Sequence, residues 1–351
     1  MSQLGIVTIG RNEGERLRRC LTSVAGRDLP VVYVDSNSTD KSVELARSLG
    51  AEIVELNPSL SFTAARARNA GFERLEQIAP GVEYVQVVDG DCEVAAGWLD
   101  RARSVLEERP DVAVVFGRRR ERYRDQTIYN RMADLEWDVP VGEAKACGGD
   151  AMILAEAFRR VGGYNPSIIA AEDDELCLRI RGQGWKVLRI DADMTLHDMA
   201  MTRFAQWWTR AVRCGHAYAE GVARYGRTPE RHFVRQMRST IFWGLLLPLI
   251  VVGLAWPTHG ASLVLLCGYL VLFWRSERFF RIGRGWRAAD ARLYAAFCVL
   301  AKFPHVAGMV KYWSRRIQGK PVQIIEYRGA QTVLAAPRPE LSPITCDDNL
   351  R

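Results

Sequence analysis

The sequence predicts an α/β protein with a mostly parallel sheet flanked by helices, followed by a separate apolar helical segment. Two observations carry this prediction. The first 120 residues alternate short apolar runs with helical patterns, from LGIVTI and ERLRRCLTSVA to VAVVF, and such alternation is typical of parallel sheets. The 36 residues from Ser239 to Trp274 contain no Asp, Glu, Lys or Arg.

The predicted elements follow one another in a regular order. The first helix has Leu17, Leu21 and Val24 on one face, and Gly50 stands just past the end of the second helix, where a glycine commonly ends one. The strand VVYVDS precedes DKSVELARSLG, AEIVEL precedes TAARARNAGFERLEQI, and VEYVQVV precedes GWLDRARSVLEER. In such sheets ligands bind beyond the carboxyl ends of the strands, where we expect to find Asp35 and the acids that follow VQVV.

The charge-free stretch 239–274 is divided by WPTHG into two apolar segments, each shorter than the roughly 20 residues that a straight membrane span needs. We interpret it as a membrane hairpin, with a re-entrant or interfacial pair and buried core helices as alternatives. Arginines flank both ends, so the positive-inside rule predicts that both ends are cytoplasmic. Residues 275–330 are interpreted as a basic interfacial segment with an amphipathic helix, and residues 331–351 as a disordered tail.

Composition and charge exclude several classes of protein. Eight scattered cysteines without a C-x-x-C pair argue against a disulfide framework and a zinc site, and predict a reducing, cytosolic compartment. The first residues, MSQLGIVTIGRNEG, lack the pattern of a secretory signal. The net charge of +7 is concentrated in residues 275–351, which carry 14 Lys/Arg against 6 Asp/Glu. A basic tail beside an apolar stretch favours an anionic membrane surface over nucleic acid as a partner.

Two carboxylates follow a buried-looking strand in the stretch VQVVDGDCEV. Asp89 and Asp91 stand two residues apart, and like charges at this distance repel each other and are costly to desolvate. One interpretation is a solvated Asp-Gly turn, and the other is a divalent cation between the two carboxylates. Because several strand-end acids should share one sheet edge, we favour the cation.

Further motifs carry side chains suited to chemistry. AARARNAG places Arg66 and Arg68 in the opening turns of a helix, where cations hold a pyrophosphate or simply face solvent. AEDDELCLRIRGQGW places four acids at 172–175 in a first helical turn, where they complement the helix dipole or supply a general base. TLHDMAM ends a strand-like run with His197, and a neutral imidazole suits a manganese- or zinc-like ion. The basic run at 118–124 either holds a pyrophosphate or is a solvated surface.

The order of these motifs is more specific than any one of them. A strand-end Asp is followed by A-R-x-R-N, D-x-D, G-G-D, E-D-x-E-L-x-x-R-x-x-x-x-G and a His. In this order the chain resembles the family 2 glycosyltransferases over about residues 3–220. The resemblance implies their Rossmann-like A-type nucleotide-sugar fold. Within the family, the chain looks most like the membrane-associated enzymes of bacterial polysaccharide assembly.

The resemblance implies a donor side and a metal site. Residues 1–235 would form the catalytic domain, with a nucleotide-binding part up to residue 120 and an acceptor part from 121. A Mn²⁺ or Mg²⁺ ion would be held by Asp91 and His197, with Asp89 in or near its shell. The nucleotide sugar would be bound by Asp35, Arg66, Arg68, Asp89 and Asp91.

On the acceptor side, the resemblance implies that Asp173 is the base that deprotonates the acceptor hydroxyl. Glu172 and Asp174 are rival bases in the same acidic cluster. Gly149 and Asp150, together with Glu172, would border the sugar and acceptor pocket.

The implied activity is inverting and metal-dependent, with one sugar passing from a nucleotide sugar to a hydroxyl of a lipid-linked acceptor. It would occur at the cytoplasmic face of a bacterial inner membrane. One alternative is a polyprenyl-phosphate sugar synthase, whose acceptor is already ionised and needs no base. Another is a non-catalytic, nucleotide-sugar-binding membrane subunit. The loop DSNSTD departs from the common D-D-G-S-T-D of the family, so the nucleotide stays open.

Overall fold

The computed structural model describes residues 4–319 and residue 325. Within them, nine strands form one sheet, and the central strands contribute apolar residues that are buried between flanking helices. The strands are β1 (Leu4–Gly10), β2 (Val31–Asp35), β3 (Glu52–Glu55), β4 (Tyr84–Asp89), β5 (Cys92–Val94), β6 (Val112–Glu121), β7 (Gly142–Ala144), β8 (Ala151–Leu154) and β9 (Lys186–His197).

The strand order in the sheet is β3-β2-β1-β4-β8-β6-β9-β5, and β7 pairs with β9. The first four strands in this order are mutually parallel, as the alternating pattern predicts. Strand β8 is antiparallel to both β4 and β6, while β9 runs parallel to β6. The prediction of a mostly parallel sheet is confirmed, and the antiparallel strands β5, β7 and β8 are the elements that the local pattern did not reveal.

Helices cover both faces of the sheet and continue into the C-terminal region. Because β1 and β4 are buried on both faces, they appear in the sequence as continuous apolar runs rather than as alternating ones. The helices are α1 (Glu15–Val24), α2 (Ser42–Ser48), α3 (Ala64–Ile78), α4 (Trp98–Glu108), α5 (Ile128–Trp137), α6 (Ala155–Arg160), α7 (Glu172–Gly182), α8 (Phe204–Tyr225), α9 (Val234–Ile241), α10 (Leu247–Ala255), α11 (Cys267–Arg278), α12 (Ala288–Leu300) and α13 (Lys302–Ile317).

Two continuous helices are long and apolar enough to cross a membrane, judged by length and composition. One is the 22-residue helix Val234–Ala255, which comprises α9, α10 and the turn between them. The other is the 30-residue helix Ala288–Ile317, which comprises α12 and α13. The second half of the predicted hairpin forms a 3₁₀ turn and α11, with side chains such as Val264 and Trp274 more than half exposed. Exposed apolar surface of this extent indicates contact with lipid or protein. The division into domains and the hairpin stay predictions, and the proposed tail at 331–351 lies outside the described residues.

Helix α13 packs closely against α8, which follows the last strand of the sheet. A Cβ atom added to Gly308 would lie 2.0 Å from the carbonyl oxygen of Val212, and one added to Gly215 would lie 2.1 Å from that of His305. The two backbones therefore touch where these glycines cross. Asp290 of α12 is buried and accepts hydrogen bonds from Arg131 of α5 and from Arg124. These contacts fix the C-terminal helices to the sheet domain.

The close crossing predicts that Gly308→Leu destabilises the protein. Overpacking a well-packed contact typically costs about 1–3 kcal/mol, and backbone atoms cannot move aside as a side-chain tip can. Gly253→Ala is the matched control, because a Cβ at this position meets nothing within 4 Å. Thermal unfolding of the full chain in detergent should show a lower Tm for Gly308→Leu alone. Equal melting temperatures would contradict the assigned packing.

Candidate functional site

The candidate site begins where three strands end at one edge of the sheet. Asp35 is in register with Gly10 of β1, and Asp89 is in register with Ile9, so the two carboxylates flank the end of β1. Gly90 donates its amide hydrogen to the Ile9 carbonyl at 2.8 Å and turns the chain directly against β1. This turn separates Asp89 from Asp91. The expectation that these strand-end acids share one edge is confirmed.

Arg68 is the cationic side chain that binds Asp89, the first acid of the Asp89–Asp91 pair. It lies on the buried face of α3, and its guanidinium donates to Asp89 Oδ1 at 2.8 Å and to Glu172 Oε1 at 2.7 Å. The Tyr164 ring lies 5.3 Å from the guanidinium carbon. The arginine is 3% exposed and its ion pair with Glu172 is buried, whereas the Asp89 side chain is 29% exposed. Arg68 thereby links the end of β4 to the first turn of α7.

Gly149 and Asp150, which directly precede β8, support this edge. The carboxylate of Asp150 is completely buried and accepts hydrogen bonds from the Asp89 amide at 3.0 Å and from the Thr195 hydroxyl at 2.9 Å. It also forms an ion pair with Arg119 at 2.9 Å. Asp150 therefore positions the strand end. The resemblance implied instead that Asp150 borders the sugar and acceptor pocket.

Gly149 does border the site. Its φ of +105° lies in a region that favours glycine, and an added Cβ would lie 3.1 Å from Arg119 and 3.6 Å from Arg68. The same atom would lie 3.7 Å from Asp89 Oδ2. A side chain at this position would therefore occupy the space between two guanidiniums and the first acid.

Asp91 and His197 form the second half of the site. His197 lies at the end of β9, and its Nε2 is 3.2 Å from Asp91 Oδ2. Its Nδ1 is 3.2 Å from Glu121 Oε2, and the Trp137 ring packs against the imidazole edge-on. A carboxylate on the far nitrogen orients a metal-binding histidine and makes it a better ligand. The arrangement fits a divalent cation that prefers oxygen and nitrogen ligands.

Cys92 lies within the same cluster, since one ligand atom each from Asp91, Cys92 and His197 lies within 4.8 Å of the others. Burial raises the pKa of the Cys92 thiol well above its ordinary value, and the charges of Asp150 and Asp91 raise it further. The thiol donates to Asp91 Oδ1 at 3.6 Å, and Mn²⁺ and Mg²⁺ prefer oxygen ligands to sulfur. Asp91 and His197 are the better candidate ligands, while Asp89 is engaged by Arg68.

The acids of the first turn of α7 face different surroundings. Glu172 is paired with Arg68, which leaves Asp173 and Asp174 as candidate bases. Burial raises the pKa of the Asp173 carboxyl above its ordinary value, the neighbouring Glu172 raises it further, and Arg68 partly opposes both. Burial also raises the pKa of Asp174 well above its ordinary value, with Asp173 as the next cause. A carboxylate with a raised pKa is a stronger base at neutral pH.

The two predicted donor-side residues Asp35 and Arg66 are held by their own loops. Asp35 accepts hydrogen bonds from the Tyr33 hydroxyl at 3.0 Å and from the Ser38 amide at 2.7 Å, which shapes the DSNSTD loop. Arg66 donates to the carbonyls of Leu60 and Asn57, so it closes the loop before α3. The structure therefore places Arg68, but not Arg66, among the acids.

Sequence reasoning missed Glu121 and Arg119, which both come from β6. The run at 118–124 was interpreted as a phosphate-binding or solvated surface, and the structure shows a mixed segment in which Arg118 and Arg119 are buried while Arg120 is 54% exposed. Each arginine of the run is paired with a carboxylate: Arg118 with Asp134, Arg119 with Asp150, Arg120 with Asp193, Arg122 with Glu93, and Arg124 with Asp290. Glu121 meets His197 only where the end of β6 pairs with the end of β9, so the local sequence gives no signal for this contact.

Comparison with known proteins agrees with this geometry. Residues 6–153 match the model of the family described as Glycosyl transferase family 2, and residues 130–203 match that described as N-terminal domain of galactosyltransferase. The first match covers the strand-end aspartates and Arg68, and the second covers the acidic first turn of α7 and His197. The chain contains a family 2 glycosyltransferase domain.

Similar proteins carry the same kind of domain. The pre-mycofactocin glycosyltransferase of Mycobacterium tuberculosis is 26% identical over 228 residues, which are 61% of this chain and 46% of that protein. The succinoglycan biosynthesis protein ExoA of Rhizobium meliloti is 26% identical over 189 residues, 50% of this chain and 55% of its own. The chain thus spans about half the length of these relatives. Among solved structures, the mannosyltransferase PcManGT from Pyrobaculum calidifontis, in complex with GDP-Man and Mn²⁺, is similar to this chain with a TM-score of 0.54 at 22% identity. The similarity covers 85% of this chain and 87% of that one, and it establishes the A-type fold.

The position of Glu121 in the glycosyltransferase domain predicts that Glu121→Gln weakens divalent-cation binding. Removing the carboxylate partner of a metal-binding histidine typically costs about 10–100-fold in affinity. Titration of Mn²⁺ into the full chain, followed by electron paramagnetic resonance, measures the change directly. Glu143→Gln is the control, because Glu143 lies exposed on β7. Unchanged Mn²⁺ affinity in Glu121→Gln would remove His197 from the metal site.

Proposed function

We propose that the chain is an inverting, metal-dependent glycosyltransferase. It transfers one sugar from a nucleotide sugar to a hydroxyl of a lipid-linked acceptor at a membrane surface. One observation carries this proposal: two pairs of groups meet at one sheet edge. Asp91 lies against His197, and Arg68 links Asp89 to the first turn of α7. This edge brings together cation ligands, a fixed positive charge and candidate bases.

The donor side follows from the strand-end acids. Asp35 lies beside the end of β1, where a ribose hydroxyl or a base N–H would donate a hydrogen bond to its carboxylate. Asp91 and His197 would hold Mn²⁺ or Mg²⁺, which when bound neutralises the charge that develops on a departing nucleoside diphosphate. Arg68 holds Asp89 in place at this edge and neutralises part of the charge of the acids there.

The acceptor side follows from α7. Asp173 would take the proton of the acceptor hydroxyl while the oxygen attacks the anomeric carbon and the bond from that carbon to the diphosphate breaks. The attack comes from the side opposite the leaving group, so the configuration at this carbon inverts. The raised pKa of the Asp173 carboxyl, which burial causes, makes this proton transfer more favourable.

The membrane assignment rests on the C-terminal helices. Trp256 is 91% exposed and Val252 is 74% exposed, and both belong to the apolar segment that follows α9. Such surface is costly in water and is favourable in a bilayer. We propose that the catalytic domain sits on the cytoplasmic face of a bacterial inner membrane, and that its acceptor is a lipid in that membrane.

Transfer of label to lipid tests the proposed function. Membranes that contain the wild type, Asp91→Asn or Asp100→Asn would receive labelled UDP-, GDP- and TDP-sugars with Mn²⁺. We expect one donor to label the lipid extract of the wild type, and expect EDTA or Asp91→Asn to reduce that label by about 100-fold or more. Asp100, which is exposed on α4, serves as the control.

Each outcome separates the proposal from an alternative. Label that survives both EDTA and Asp91→Asn would overturn the metal site. Binding of a nucleotide sugar to the purified chain without transfer to any lipid fraction would favour a non-catalytic binding subunit. Label on a lipid phosphate rather than a hydroxyl would favour the polyprenyl-phosphate sugar synthase.

A further inference from the structure

A cationic cavity of about 530 Å³ lies between α7, the loop before α9 and the start of α9. It is separate from the paired acids at the sheet edge, yet Asp174 of α7 forms part of its wall. Five cationic side chains line it, against the two carboxylates of Asp174 and Glu230. These cations are Lys145, Arg181, Arg231, Arg235 and Arg238.

The cations differ in how they are engaged. Arg181 forms an ion pair with Glu230 and donates to the Lys145 carbonyl, so it belongs to the wall of the cavity. In the part of the chain that the structure describes, Arg231, Arg235 and Arg238 form no ion pair with a carboxylate. These three arginines therefore give the cavity an excess of positive charge that a phosphate or diphosphate would neutralise.

The loop that presents the first of these arginines is held in a fixed shape. Arg231 and Phe233 both have positive φ, of 47° and 58°, which is uncommon for residues other than glycine. Phe233 packs on Tyr218 with ring centroids 5.2 Å apart, and a Cβ on Gly221 would lie 2.5 Å from the Phe233 ring. Strained backbone that the surrounding packing holds in place is typical of binding sites.

Helix α9 presents a second, apolar surface beside the cavity. Its residues Met237 and Ile241 line a groove of about 550 Å³, together with side chains of α13 such as Val310 and Trp313. Val310 is 58% exposed. Helix α9 thus has arginines in the cationic cavity and apolar side chains in the groove. Leu245, in the apolar segment after α9, also lines the groove, so the groove continues toward that segment.

We infer that α9 and its two surfaces form the binding site for the lipid acceptor, with the phosphate in the cationic cavity and the hydrocarbon chain in the apolar groove. This inference rests on the proposed function and names the class of acceptor, a hydroxyl-bearing sugar carried on a long-chain lipid phosphate or diphosphate. The charge excess matches the head group, and the adjoining groove matches the chain. Because Asp174 lines the cavity, a lipid bound there brings its head group beside Asp173 in the first turn of α7.

Direct binding of lipid to the purified full chain tests the site. Vesicles of phosphatidylcholine containing a polyprenyl phosphate would be compared with vesicles that carry an equal charge as phosphatidylglycerol, with co-flotation as the readout. We expect the wild type to prefer the polyprenyl phosphate. Arg235→Gln combined with Arg238→Gln should weaken that binding by about tenfold or more, because two charge-assisted contacts are lost.

A matched variant separates this site from general attraction to an anionic membrane. Arg275→Gln with Arg278→Gln removes the same charge from α11, away from the cavity. It should lower binding to phosphatidylglycerol vesicles and leave the preference for polyprenyl phosphate intact. Equal losses in both double variants, or no preference in the wild type, would overturn the inference and assign the arginines to bulk lipid.

The groove is tested by Val310→Trp, which fills it from an exposed position. We expect this variant to bind polyprenyl phosphate more weakly while inorganic phosphate still competes with the head group as in the wild type. Unchanged polyprenyl-phosphate binding would show that the chain lies elsewhere. Nucleotide-sugar binding, measured in the same variants, reports on the strand-edge site alone. Loss of lipid binding with intact nucleotide-sugar binding therefore concerns the lipid site, and a chain that binds no nucleotide sugar would contradict the proposed function.

Discussion

Asp173→Asn is expected to lower kcat by about 10²–10⁴-fold and to leave the KM for the nucleotide sugar nearly unchanged. The asparagine keeps the shape of the side chain but cannot take the proton of the acceptor hydroxyl. Steady-state transfer to a hydroxyl acceptor measures both constants. Asp174→Asn, a matched change one residue later, should have the smaller effect on kcat because Asp174 lines the neighbouring cavity.

The stability of the same variant separates lost chemistry from lost folding. Burial raises the pKa of Asp173 in the folded chain, so this carboxyl favours folding at pH values below its ordinary pKa and loses that contribution as the pH rises through the raised value. At pH 8 the ionised carboxylate costs stability, and asparagine avoids that cost. Asp173→Asn should therefore melt no lower than the wild type at pH 8.

The pH dependence of the wild type follows from the same shift. The base must be ionised to accept a proton, so kcat/KM should fall on the acid side with an apparent pKa above the ordinary range of an aspartate. Loss of activity together with a lower Tm in Asp173→Asn would point to a structural role. Full activity in this variant would favour an acceptor that is already ionised.

Much of the donor side could be predicted from the sequence because its signals are local. Asp35, Asp89 and Asp91 lie at strand ends, and parallel strands of known direction bring their carboxyl ends to one edge. His197 was found through its place in the motif order. The partners of these residues could not be found in this way, because Glu121 meets His197 only through the pairing of β6 with β9.

The two arginines of A-R-x-R-N show what finer reasoning could have recovered. Residues two apart on a helix point in nearly opposite directions, so Arg66 and Arg68 could not both face the same ligand. The apolar face of α3, which contains Phe72 and Leu75, identifies the buried side as that of Arg68. By contrast, the burial of Asp150 depends on β8 running antiparallel between β4 and β6, which no local pattern indicates.

Arg68→Met is expected to be the most damaging single change at the sheet edge. It leaves the carboxylates of Asp89 and Glu172 without their shared partner. Glu172 is buried, and breaking a buried ion pair from one side typically costs about 3–5 kcal/mol. Denaturant unfolding in detergent should show this loss, and nucleotide-sugar binding should fall with it. Arg66→Met is the control, since that guanidinium binds loop carbonyls at the surface.

A second substitution separates the two roles of Arg68. In the double variant Arg68→Met with Glu172→Gln, one unpaired buried charge is removed, so part of the lost stability should return. Nucleotide-sugar binding should stay low, because Asp89 still lacks the guanidinium that holds it at 2.8 Å. Recovery of both stability and binding would show that Arg68 serves only to neutralise Glu172. Arg68→Lys should resemble Arg68→Met in binding, because an ammonium group cannot reproduce the planar fork that reaches both carboxylates at once.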